Sequence, residues 1–175
     1  MITELLEKIC VKLDEHNIPY MLSGSVAMSV YVLPRATRDF DFIVNLSIAD
    51  AKKVVDNFSD GFYCDADAVN EAIKKKSMFN IIDFKSGFKA DFVILKLEEF
   101  RQKEFSRRVT AQFFETRIYI VTAEDLLLSK LIWIQELQSN LQMDDIKTLA
   151  KKSNLDWSYI DYWIDTLHLK TFDLI

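Results

Sequence analysis

The run Asp39-Phe40-Asp41-Phe42-Ile43-Val44 constrains this chain more than any other. Its character alternates with the period of a β-strand, so Phe40, Phe42 and Val44 share one face and Asp39, Asp41 and Ile43 the other. The first face needs a core to pack against. The second carries two carboxylates on an otherwise apolar strand. Two residues along a strand span roughly 6.6 Å, and carboxylates at that spacing can converge on a pair of divalent ions about 3.5–4 Å apart. Such ions are hard and take oxygen ligands, and Mg²⁺ keeps positions open for substrate phosphates.

A second element precedes the strand. Tyr20 to Leu22 reads as a short strand, Gly24-Ser25 as a turn, and Val26 to Leu33 as an apolar helix stopped by Pro34. A helix N-terminus presents free N–H groups and the positive end of a dipole, which favour anions. Gly24 has no Cβ and so permits close backbone approach. The Ser25 hydroxyl is suited to capping the helix or to meeting a phosphate oxygen. A phosphate-sized turn joined to paired carboxylates is the equipment that phosphoryl and nucleotidyl transfer require.

The remaining pattern alternates helices and strands. Residues 3–16 have Leu5, Leu6, Ile9 and Leu13 at helical spacing, and Asn17 and Pro19 end that helix. Ser47 or Asp50 caps a helix to Phe58, and Asp65 to Lys76 forms another. Met78 to Phe84 and Phe88 to Leu95 flank Ser86-Gly87 as a hairpin. A two-residue loop there sets Ile82 opposite Asp91 and puts Asp83 on the face away from Asp91. Only one of these two acids can then join Asp39 and Asp41, and the hairpin alone does not choose. Glu98 to Arg107 reads as a helix, and Phe113, Glu115 and Arg117 to Val121 as a last strand. Three further helices follow, Asp125 to Gln138, Asp144 to Lys152 and Trp157 to Leu167. Lys130 is unusual inside the first of these, which is apolar on most sides; by residue type it is a snorkelling or rim lysine.

Composition narrows the classes. The chain has 175 residues, half of them apolar, with thirteen Phe, three Gly and two Pro, which points to a folded globule without linkers. A net charge of −5 gives no general attraction to nucleic acid. Only 71–108 is basic, with ten Lys or Arg against six acids, as expected of solvated helix faces. Cys10 and Cys64 form no Cys-x-x-Cys pair and read as inert thiols of a reducing compartment. His16 and His168 form no zinc-binding cluster. The N-terminus lacks a basic region followed by an apolar stretch, and no apolar run reaches the ~20 residues of a membrane span, so no membrane partner and a cytoplasmic location are expected.

Gly24, Ser25, Asp39, Phe40, Asp41 and Phe42 fill the pattern Gly-[Gly/Ser], nine to thirteen residues, Asp-h-[Asp/Glu]-h, where h is apolar. This resembles the signature of the polymerase-β-type nucleotidyltransferase superfamily. Thr122-Ala123-Glu124-Asp125-Leu126-Leu127-Leu128-Ser129-Lys130-Leu131 is similar to a block of small prokaryotic nucleotidyltransferases related to AbiEii-like abortive-infection toxins. Asp145-Ile146 and the segment 155–169 resemble that group's C-terminal helices. The resemblance implies an α/β (α+β) fold, with a small mixed-sheet nucleotidyltransferase core over 1–121 and a helical subdomain over 122–175.

It also implies transfer of a nucleoside monophosphate from a nucleoside triphosphate to an acceptor hydroxyl. Asp39, Asp41 and Asp91 would hold two Mg²⁺ or Mn²⁺ ions; the resemblance thus selects Asp91 over Asp83. Gly24, Ser25 and Arg38 would meet the nucleotide, and Lys130 the phosphates. The implied acceptors are tRNA or protein, and the implied partners a cognate antitoxin or a second copy of the chain. The sequence has no Gly-x-Ser-x-Gly elbow for a serine hydrolase. Its rivals are a silent nucleotidyltransferase-fold binding protein, which would bind nucleotide without turnover, and an RNA-binding module indifferent to Asp39 and Asp41.

Overall fold

The computed structural model of the chain describes residues 2–32 and 39–175. Arg38 and the Pro34 stop lie outside the described residues. Eight helices and seven strands alternate among those described: α1 (Ile2–Glu15), β1 (Tyr20–Leu22), α2 (Gly24–Tyr31), β2 (Asp39–Val44), α3 (Ala51–Asn57), β3 (Phe62–Cys64), α4 (Ala66–Lys75), β4 (Met78–Asp83), β5 (Lys89–Ile94), α5 (Glu99–Ser106), β6 (Val109–Phe113), β7 (Thr116–Ile120), α6 (Ala123–Glu136), α7 (Asn140–Ala150) and α8 (Trp157–Thr166). No described helix is long and apolar enough to cross a membrane.

The strands form one mixed sheet in the order β3-β4-β5-β2-β1-β7-β6. The pairs β2–β5 and β1–β7 are parallel and the others antiparallel. This is the expected mixed α/β fold. One face carries Tyr20, Leu22, Phe40, Phe42, Val44, Phe79, Ile81, Ala90, Phe92, Ile94, Ile118 and Ile120, and α1, α3 and α4 bury it. Phe92 stacks between Phe42 and Phe79 at centroid distances of 5.2 and 5.1 Å. On the other face, Met21 and Val121 join a second cluster built from α2, α5, α6, α7 and α8. That cover stops short of β4 and β5, where Met78 and Ile82 are exposed.

Helix starts follow local chemistry. The Asp65 carboxylate accepts from the Ala68 N–H at 2.7 Å to begin α4, and the Asp156 carboxylate accepts from the Tyr159 N–H at 3.0 Å to begin α8. Ser47 and Asp50 form a reciprocal box ahead of α3.

Four expectations are corrected. The β4–β5 connection is longer than two residues, because Asp83 accepts from both the Ser86 N–H and its hydroxyl, at 2.8 and 2.6 Å, and closes a wider turn. Asn80, not Ile82, therefore faces Asp91. The shift is two residues, so Asp83 still lies on the face away from Asp91. The expected last strand is two, β6 and β7, paired as an antiparallel hairpin. A three-residue strand, β3, adds an edge. Helix α7 begins at Asn140 rather than Asp144, with Ser139 before it.

Candidate active site

The carboxylates are assembled by strand pairing. In the parallel β2–β5 pair, Asp41 is directly beside Asp91, and Asp39 beside Lys89. All four occupy the sheet face that the apolar cluster leaves. Burial pushes the Asp41 carboxyl above its ordinary value, and the nearby charges of Asp91 and Asp39 push the same way; Lys130 and Lys89 partly offset them. Asp83, by contrast, lies in the opposite layer. Burial opposes its ionisation, but the bonds from Ser86 and the Lys8 ammonium 3.6 Å away outweigh that and hold it below the usual carboxylate range.

Lys89 is a member of the site that the motif does not include. Its ammonium donates to both Asp91 oxygens at 3.3 and 3.1 Å and lies 4.0 Å from Asp39 Oδ1. Asn80 donates to Asp91 Oδ1 at 3.1 Å. Strand alternation could have revealed Lys89, since it stands two residues before Asp91 and so shares its face. Among the described residues, no three His, Cys, Asp or Glu side chains converge as a ready-made metal site. The donor set nevertheless fits a hard divalent cation, because Asp41 and Asp91 stand side by side on paired strands with Asp39 on the same face and offer only carboxylate oxygens. Among the described residues, Lys89 places an ammonium among them.

The glycine of the turn is fixed by Asp41. Gly24 has φ +57°, and a Cβ built on it would lie 2.0 Å from Asp41 Oδ2. The Ser23 N–H donates to the Asp41 carbonyl at 3.0 Å. Turn and carboxylate are therefore packed as one unit. The cap position of α2 belongs to Ser23, not Ser25, and its side chain makes no capping bond. Ser25 is the second residue of the helix, and its carbonyl accepts from the Ser29 hydroxyl at 2.9 Å.

A cleft of about 370 Å³ opens beside this unit. Ser23, Gly24 and Asp41 line one end, Ile43, Val93 and Leu95 its floor, and Leu126, Ser129, Lys130 and the half-exposed Trp133 its α6 wall. The structure thus brings Gly24, Asp41 and Lys130 into one cleft, with Asp39 and Asp91 on the adjoining sheet face. Lys130 is buried rather than at a rim. Its ammonium donates to Asp145 at 2.8 Å and to Gln142 at 2.7 Å, tying α6 to α7.

The Glu124-Asp125 pair has a different part. Asp125 is fully buried and accepts from Thr122, Arg107 and the Tyr159 hydroxyl at 2.7, 3.0 and 2.6 Å. It joins the end of α5 to α6 and α8, and does not line the cleft.

No protein-family model matches the chain, and no curated protein does. Solved structures do match in shape. The antibiotic-resistance factor ANT(2'')-Ia superposes with a TM-score of 0.65 at 12% identity, over 94% of this chain and 90% of that one. The fold is a nucleotidyltransferase fold. The lincosamide antibiotic adenylyltransferase LnuA, in its lincomycin-bound structure, gives 0.58 at 15% identity over 83% of this chain and 94% of its own. An antigenic nucleotidyltransferase-like protein from Paracoccidioides brasiliensis gives 0.57 at 15% identity, over 93% and 85%. The nucleotidyltransferase fold expected from the sequence is therefore supported, and the likeness does not extend to the AbiEii-like subtype.

Proposed function

We propose that the chain is a metal-dependent nucleotidyltransferase, moving a nucleoside monophosphate from a nucleoside triphosphate to an acceptor hydroxyl with release of pyrophosphate. One observation carries this: Asp41 and Asp91 stand side by side on paired strands, with Asp41 packed on the Gly24 turn at the mouth of a cleft. In this reading residues 1–121 form the core, and 122–175 the helical part that walls the cleft.

The start of α2 offers backbone N–H groups to the phosphates. Lys130, fixed by Asp145, supplies positive charge on the opposite wall. Asp39, Asp41 and Asp91 would hold Mg²⁺ or Mn²⁺, which lowers the acceptor's pKa and offsets charge on the leaving pyrophosphate. Asp91, which accepts a hydrogen bond from Asn80, would take the acceptor's proton. Lys89 must leave the carboxylates before a cation takes its place.

ANT(2'')-Ia has been seen with adenylyl-2''-tobramycin, and LnuA with lincomycin. Hydroxylated small molecules of that kind join tRNA and protein as acceptors to test, and the AbiEii resemblance adds an antitoxin as a partner to seek. The decisive assay incubates the chain with each α-labelled triphosphate, Mg²⁺ and, in turn, total RNA, total protein and hydroxylated antibiotics. Label transfer that disappears in Asp41→Asn is expected. Mg²⁺-dependent triphosphate binding without turnover on any acceptor would instead establish a silent binding protein.

A further inference from the structure

The cleft wall contributed by α5 holds an ion pair outside the nucleotidyltransferase signature. Arg101 Nη1 donates to Glu104 Oε2 at 2.9 Å and to the Ser129 hydroxyl oxygen at 2.6 Å. The Ser129 hydroxyl in turn donates to Glu104 Oε1 at 2.5 Å. The two partners are unequally placed: the Glu104 side chain is 2% exposed and that of Arg101 is 27% exposed, with both lining the cleft.

Here the carboxylate is withdrawn into the wall and the guanidinium is held at its surface. Burial pushes the Glu104 carboxyl up, with Arg101 and Ser129 opposing, so the anchor depends on this arginine. A guanidinium carries five N–H donors. Both protein contacts use Nη1, and among the described residues Nε and Nη2 make no hydrogen bond. The open edge is a planar fork whose geometry matches two oxygens of a phosphate. Ser129 directly precedes Lys130, so α6 sets a second cation next to it in the same wall. Both cations have a buried carboxylate behind them, Glu104 and Asp145. Ser23 and Gly24 of the turn line the same cleft.

We infer that Arg101 is a phosphate-binding residue of this cleft, taking oxygens of the β- and γ-phosphates of the nucleoside triphosphate, with Glu104 and Ser129 as its positioning residues. The inference rests on the transfer reaction proposed above and adds a specific ligand-binding group to it.

The test titrates inorganic tripolyphosphate with Mg²⁺ into the full chain, alongside Arg101→Lys and the double variant Arg101→Gln/Glu104→Gln. The double variant replaces the ion pair by neutral amides and leaves no unpaired buried charge. Tripolyphosphate affinity should fall about tenfold or more in the double variant, and by less in Arg101→Lys. Adenosine monophosphate affinity should change little, and the KM for triphosphate should rise more than kcat falls. A folded double variant with wild-type tripolyphosphate affinity overturns the inference. If the double variant does not fold, unchanged affinity and KM in Arg101→Lys overturn it. Weakened binding of a short single-stranded oligonucleotide, with tripolyphosphate unaffected, would reassign the fork to an acceptor phosphate and equally overturn it. Failure of the wild-type chain to bind any triphosphate would sink the transfer reaction itself.

Discussion

Gly24→Ala is expected to uncouple activity from stability. The new Cβ would stand 2.0 Å from Asp41 Oδ2 and 3.0 Å from its Cγ. Neither the turn nor β2 yields easily, because the Ser23 N–H is bonded to the Asp41 carbonyl. The carboxylate is the movable part and must withdraw by about 1 Å or more, a misplacement that costs about 10²-fold in rate when the group orients the reactants. The backbone contributes separately. At φ +57° an alanine pays roughly 1–2 kcal/mol for the left-handed region. For a chain of this size that lowers Tm by about 2–8 °C. Gly87→Ala is the control: its φ is +71°, but a Cβ there meets nothing within 4 Å. Both variants should melt slightly early, and only Gly24→Ala should lose transfer and divalent-cation affinity. Calorimetric unfolding beside label transfer measures both. Wild-type turnover in Gly24→Ala, or equal loss in Gly87→Ala, would refute the coupling of turn and carboxylate.

Four further outcomes are expected. Lys89→Met should tighten Mg²⁺ binding a fewfold by calorimetry, since the displaced ammonium is partly exposed and such pairs contribute about 0.2–1 kcal/mol; weaker Mg²⁺ binding would show that Lys89 does not compete. The Asp41 carboxyl is raised from 3.8, so its contribution to metal-free stability is full below that value and lost as pH rises through the folded pKa. Asp41→Asn should therefore melt at or above wild type at pH 7 without metal while abolishing transfer, and an early-melting variant would contradict the cost of burying this charge beside Asp91 and Asp39. Lys130→Met leaves the buried Asp145 without its ammonium and should cost about 3–5 kcal/mol in denaturant melts, most of it recovered by Lys130→Met/Asp145→Leu; a single variant as stable as wild type would argue against the pair. Asp83→Asn should lower stability and spare transfer, and because Asp83 is held below 3.8 its contribution is present above that value and fades as pH falls through the folded pKa; an inactive Asp83→Asn would place it in the site after all.

The site was legible where alternation was clean. Asp39 and Asp41 sit on a half-buried strand whose other face is wholly apolar, so their shared face follows from period two, whereas Asp91 joins them only through the β2–β5 register, which the resemblance and not the alternation anticipated. The separation of Asp83 from Asp91 survived a wrong register because the error was an even number of residues. Strand β6 is a weak signal because it is a short edge strand whose alternating face, Val109, Ala111 and Phe113, is only partly buried. The wider β4–β5 turn depends on a side-chain bond from Ser86 that spacing alone does not reveal. Arg101 and Glu104 meet as an i,i+3 pair on α5, but Ser129 joins them only once α5 packs on α6, and no local pattern announces that meeting.

The parallel pairing of β2 with β5 also bears on when the protein becomes competent during folding. Parallel neighbours cannot be joined by a tight turn, and here α3, β3, α4 and β4 intervene between them. Neither Asp-x-Asp nor Asp91 can be completed by a local hairpin. A nascent chain that has emerged only through β2 carries the signature without the third acid, and Lys130 arrives later still. The centre is expected to form in the same slow, long-range step that closes the sheet. In hydrogen exchange, the amides of β2 and β5 should then be protected together, at the free energy of global unfolding.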